Sequence, residues 1–160
     1  ETYSIGMVVH TLKQNRPSEL PGRVEILGTD ISPTAVKEAS RGCYPKSLLA
    51  RGLGVAQIER HFRQVGECWE VKPALREYIH FRVHNLLDSY ALLGRFDIVF
   101  CRNTLIYFSA KTRCDIMERI GQVLNPGGFL VLGGSESINR CSTHFVMHKV
   151  QGGVYYRKHS

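Results

Sequence analysis

Asp30 closes the apolar, β-branched run VEILGTDIS at 24–32. A carboxylate at the carboxyl end of a buried strand can accept hydrogen bonds from both hydroxyls of a ribose. The same placement also puts a charge at a helix N-terminus, where it contributes under about 1 kcal/mol. Dehydrogenases carry such a strand-final acid, so Asp30 alone is a weak signal. Other apolar runs, each read as a strand, also reach polar or small residues at their carboxyl ends: Asn85 in YIHFRVHNLL (78–87), Arg102-Asn103 in RFDIVFCRN (95–103) and Gly133-Gly134-Ser135 in FLVLGGS (129–135).

Ligands of open α/β sheets lie beyond the carboxyl ends of the strands, so these positions need a sheet behind them. Helical spacing of Ile5, Val8, Val9 and Leu12 predicts a first helix, which stops at QNRPSELPG. Ser32-Pro33 predicts a second helix, with Ser as cap and Pro in the first turn, running to about Arg41 and ending at Gly42. Residues 43–78 interrupt the alternation. GVAQIERHF reads there as a short helix, with RQVGECWEV and ALREYIHFRV as short strands of a small inserted subdomain. SAKTRCDIMERIGQVL (109–124) reads as an amphipathic helix capped by Ser109 and stopped by an NPGG turn. HFVMHKV and VYYRKH, either side of Gly152-Gly153, predict a closing hairpin. The expected fold is an α/β sheet, mostly parallel with an antiparallel C-terminal hairpin.

The chain has 160 residues and a net charge of +7, a balance that favours acidic partners such as nucleic acid or an acidic protein surface. Nucleic-acid methyltransferases often carry (N/D)PP(Y/F) or a catalytic Cys after Pro, and neither is present. The five cysteines include no CxxC pair. That pattern predicts neither a disulfide framework nor a zinc ribbon, and it fits a reducing cytoplasm. His80/His84 and His144/His148 lack further ligands nearby in sequence, so no metal is expected. No apolar run is long enough to cross a bilayer.

An FD-(apolar)3 strand, a polar pair, an amphipathic helix and an NPGG-(apolar)3 tail follow the rhythm of class I methyltransferases, which have a Rossmann-like fold. GTDIS, HFRVHNLL, FDIVFCRNTLIYF and GGFLVLGGSES resemble the blocks of the CheR family of protein-glutamate methyltransferases. FCRN-x-x-IYF is the most specific of these pieces, and the resemblance covers nearly the whole chain.

The resemblance implies S-adenosylmethionine as cofactor and receptor glutamates as substrate. It implies that Asp30 holds the ribose, that Asn85 and Leu86 meet the adenine, and that Arg102 and Asn103 line the methionine half. Tyr107, with Arg102, would serve the reaction itself, and Glu1 would lie near the cofactor. It also implies that the subdomain at 43–78 docks on the chemotaxis receptor. The short RQVGECWEVKP stretch departs from members that bind a receptor tether peptide. ETYSIGM resembles the end of the family's first cofactor block, so the first strand, its glycine-rich loop and an N-terminal helical domain with an orienting arginine are expected upstream. Loss of that strand would remove about 5–12 kcal/mol of burial from a domain stable by about 5–15 kcal/mol, and the 160 residues are expected not to fold alone. A non-catalytic module that senses the cofactor or its product is the rival reading.

Overall fold

The computed structural model describes residues 1–138 and 141–159. The chain forms two compact units, Glu1–Asn85 and Leu86–Ser160.

In the first unit, β1 (Ile26–Asp30) pairs in parallel with β5 (Ile79–Val83), from Ile26 opposite Ile79 to Asp30 opposite Val83. Two helices pack on this pair, α1 (Thr2–Asn15) and α2 (Pro33–Arg41). Tyr3 and Met7, one helical turn apart on α1, are buried with Leu75 and Ile79. α2 starts and stops where its residues dictate. The Ser32 side chain accepts from the Ala35 N–H, Pro33 occupies the first turn, and Gly42 adopts φ 63° as the left-handed cap. A three-stranded antiparallel sheet follows, in the order β2 (Cys43–Tyr44), β4 (Cys68–Val71), β3 (Phe62–Val65). Short helices α3 (Lys46–Leu49) and α4 (Val55–His61) connect β2 to β3. The β3–β4 turn has only two residues, with Gly66 at φ 59°.

In the second unit, β6 (Phe96–Cys101) pairs in parallel with β7 (Leu124–Leu132), and β7 continues antiparallel to β9 (Gly153–Lys158) and then β8 (Phe145–Val150). Between β6 and β7 runs α6 (Ala110–Val123), whose Ser109 cap accepts from the Thr112 N–H. Its inner face, Ile116, Met117 and Ile120, packs with Leu105, Leu124, Leu130 and Tyr156. Tyr90 completes this core and donates to the Leu86 carbonyl at 3.0 Å, and burial pushes its hydroxyl up to about 12.

Four sequence expectations need correction. ALREYIHFRV is not one strand: Pro73 starts the single-turn helix α5 (Pro73–Arg76), and β5 begins only at Ile79. The NPGG segment is not a free turn. β7 runs through it, with Gly127 at φ 74° and a register shift where β6 meets β7. The strand read over 78–87 ends at Val83. The cysteines are not all free: Cys43 pairs with Cys68 and Cys114 with Cys141, while Cys101 is a buried thiol. Spacing could not announce these pairs, because tertiary structure creates them. Antiparallel pairing of β2 with β4 sets the Cα atoms of Cys43 and Cys68 5.8 Å apart, and those of Cys114 and Cys141 lie 4.4 Å apart. In a reducing compartment the same positions would hold two dithiols.

Candidate functional site

Each unit presents polar groups where its parallel strands end. In the first unit, Asp30 is the last residue of β1 and its carbonyl accepts from the His84 N–H at 2.9 Å. Asn85 therefore follows directly at the end of the neighbouring strand. The Asp30 carboxylate accepts from the Ser32 N–H at 2.8 Å through one oxygen, Oδ1. This is a local Asx turn, and it aims the acid at the mouth of α2. Glu1 is the N-cap residue of α1.

In the second unit, Arg102 and Asn103 follow the end of β6, and a 3-10 turn, Leu105–Tyr107, follows them. Leu105 is buried in the core and anchors this turn, while Tyr107 is 81% exposed. The hydroxyl of Tyr107 is thus held out on a turn whose apolar partner faces inward. Asn103 has φ 56°, the one non-glycine residue with positive φ among those described. Asparagine tolerates this conformation better than most residues. Leu86 is half-buried and packs against the core of this unit, and its carbonyl also accepts from Arg119 at 3.2 Å.

The second unit also holds a residue that the sequence did not reveal. Glu136 accepts four backbone N–H groups. Thr104 and Leu105 donate to Oε1 at 2.9 and 2.7 Å, and Asn103 and Gly133 donate to Oε2 at 2.7 and 2.8 Å. Burial pushes its carboxyl pKa up, and the four N–H donors outweigh that and hold it below its ordinary value. Gly133 permits the approach: a Cβ there would lie 2.6 Å from Oε2 and 3.0 Å from the Asn103 nitrogen. The visible signal was an acid two residues beyond a Gly-Gly at a strand end, which by itself names no partner.

The predicted residues thus fall into two groups: Glu1, Asp30 and Asn85 in one unit, and Leu86, Arg102, Asn103 and Tyr107 in the other. A cleft of about 550 Å³ in the second unit is lined by Leu87, Tyr90, Arg95 and Arg119 among others and contains none of them. Among the described residues no cluster of His, Cys, Asp or Glu could hold a metal ion, and no helix is long and apolar enough to cross a membrane.

The sequence matches the family described as CheR methyltransferase, SAM binding domain, over residues 1–154. It is 44% identical over 158 residues to the chemotaxis protein methyltransferase Cher2 of Pseudomonas putida, covering 98% of this chain and 58% of that protein. To chemotaxis protein methyltransferase 1 of Pseudomonas aeruginosa it is 43% identical, with the same coverage of both chains. The chain therefore spans 58% of the length of these curated relatives. The N-methyltransferase NodS from Bradyrhizobium japonicum has a similar fold, with a TM-score of 0.51 at 16% identity over 85% of this chain and 74% of that one.

Proposed function

The chain belongs to the CheR methyltransferase family as its SAM-binding domain, and from this premise we propose that the protein carrying it forms methyl esters on glutamate side chains of chemotaxis receptors. S-adenosylmethionine supplies an electrophilic methyl group on a sulfonium. The residues at the strand ends suit such a ligand. Asp30 offers an acceptor for ribose hydroxyls, and Asn85 sits at the adjoining strand end to meet the adenine edge together with Leu86. The family resemblance assigns Arg102 and Asn103 to the methionine half and Glu1 to the neighbourhood of the cofactor.

A glutamate carboxylate is already ionised at neutral pH, so the protein need not remove a proton. Its task is to hold one oxygen in line with the methyl carbon while an oxygen–carbon bond forms and the carbon–sulfur bond breaks. The exposed Tyr107 hydroxyl can donate to the other oxygen and orient it, and Arg102 contributes positive charge beside it. The antiparallel sheet within 43–78 is the proposed receptor-docking element, and the net charge of +7 suits an acidic receptor surface. β1 pairs with one strand only among the described residues. We place a further strand, from sequence outside these 160 residues, on its other edge. A cytoplasmic setting follows from this substrate.

The observation that carries the reading is the family match over residues 1–154 combined with Asp30 at the end of a parallel strand. Transfer of labelled methyl from S-adenosylmethionine to a receptor cytoplasmic domain, as a base-labile ester on glutamate, is the expected result with the full-length protein. Cofactor binding with no ester formed would overturn it.

A further inference from the structure

Beyond the local bonds of its 3-10 turn, from the Tyr107 N–H to the Thr104 carbonyl and the Phe108 N–H to the Leu105 carbonyl, the segment after β6 is held from a distance. Three consecutive N–H groups, Asn103, Thr104 and Leu105, converge on one point, with Asn103 in the left-handed region and Thr104 at φ −118°, ψ −42°. Successive N–H groups in this arrangement form a nest that attracts an anion. Here the anion is the protein's own Glu136, and the Gly133 N–H completes the set.

Only a carboxylate satisfies this geometry. Each oxygen takes two N–H donors, so both must be acceptors. Glutamine would turn an NH2 toward two of the donors, lose those two bonds and leave the N–H groups facing a donor. Aspartate is one methylene shorter. The flanking residues are those that the proposed reaction uses: Arg102 and Asn103 enter the nest and Tyr107 leaves it, two residues after the last clamped N–H.

We propose that Glu136 is a positioning residue for methyl transfer, its carboxylate fixing the path of residues 102–107 so that Tyr107 and Asn103 are presented in one conformation. This rests on the reading under Proposed function. The bland alternative, a carboxylate that only stabilises the second unit, would lower the melting temperature without a specific effect on the chemical step.

The test uses the full-length protein with E136Q and E136A. The expected result for E136Q is a fall of about 100-fold in kcat, the loss typical of reacting groups displaced by about an ångström. Receptor KM should change little, whereas affinity for S-adenosylhomocysteine should fall with kcat, because the clamp also presents Asn103 to the methionine half. Amides 103–105 and 133 should lose protection from hydrogen exchange in both variants. E136A leaves an empty nest, so added formate should restore both protection and rate in E136A while leaving E136Q, whose side chain fills the space, unrescued. Wild-type kcat in E136Q, or rate loss in E136A that formate does not touch, would overturn the proposal. If the wild-type protein binds S-adenosylhomocysteine but transfers no methyl, the functional reading fails instead. The formate-dependent protection of the four amides then still decides whether Glu136 is the clamp, and its absence would sink it. Should E136A fail to fold, the near-isosteric E136Q carries the kinetic comparison.

Discussion

The ends of β1 and β6 solve one problem in opposite ways. At β1, Asp30 bonds to Ser32 two residues away, and Ser32 in turn caps the helix that follows. The side-chain bonds that orient the Asp30 carboxylate thus lie within a few residues, although β1 itself pairs with the distant β5. After β6, the backbone N–H groups are gathered by Glu136, 31 to 33 residues farther along the chain. A locally built site forms as soon as its strand and helix form. A site built at long range exists only when β6 and β7 are already side by side. The first kind is robust to distant change, and the second couples its geometry to the whole unit.

The largest expected effect separates the units by their cross-links. The Cys43–Cys68 pair closes a 25-residue separation and Cys114–Cys141 one of 27. In the oxidised protein, a reductant should cost about 3 kcal/mol per bridge by the chain-entropy account. Peptide mapping without reduction should recover both linked pairs and the Cys101 thiol. A melting temperature unaffected by reductant would show that the bridges constrain nothing.

Next, Asp30→Ala should weaken S-adenosylhomocysteine binding by about 1.5–3 kcal/mol, the range for a hydrogen bond to a charged group. Calorimetry on the full-length protein reads this directly, and an unchanged affinity removes Asp30 from the ribose.

Smaller still is Ser32→Ala, worth about 1 kcal/mol of stability as a lost helix cap. Its effect should stay local. Hydrogen exchange should quicken at the start of α2 and stay unchanged at residues 103–105. Spread to those amides would abolish the distinction between the two sites.

The legibility of the molecule divides along the same line. Ser32-Pro33 with Gly42, Ser109 before α6, and Gly152-Gly153 in the hairpin each act on near neighbours, so residue type alone located the elements. The polar strand ends could likewise be marked as a place for a ligand. The two cysteine pairs, the single-turn helices α3 and α5, the passage of β7 through NPGG and the Glu136 clamp were not legible. Each depends on a partner brought close by the folded chain, and a one-dimensional pattern carries no record of which partner arrives.

Acid should reveal the long-range site by a modest effect. The folded-state pKa of Glu136 lies below its ordinary value of 4.5, so its stabilisation is complete above that value and disappears as pH falls through the depressed one. The melting temperatures of wild type and E136Q should therefore converge as pH falls below 4.5 and through the depressed value. A constant gap down to low pH would mean that the carboxylate charge is not what the nest holds.

The smallest expectation is an absence. The β3–β4 turn consists of Gly66 and Glu67 alone, too short to offer an added edge for a peptide. Titration with a receptor's C-terminal peptide at micromolar concentration should give no signal, and saturable binding would contradict this.

The Glu136 clamp bears on self-modification. On the proposed activity, Glu136 lies in the very unit that presents Tyr107, and a free carboxylate there would be a standing decoy. Four N–H donors occupy its oxygens and draw off the electron density that an attack on methyl requires. The bonds that shape the segment thus also make Glu136 a poor nucleophile.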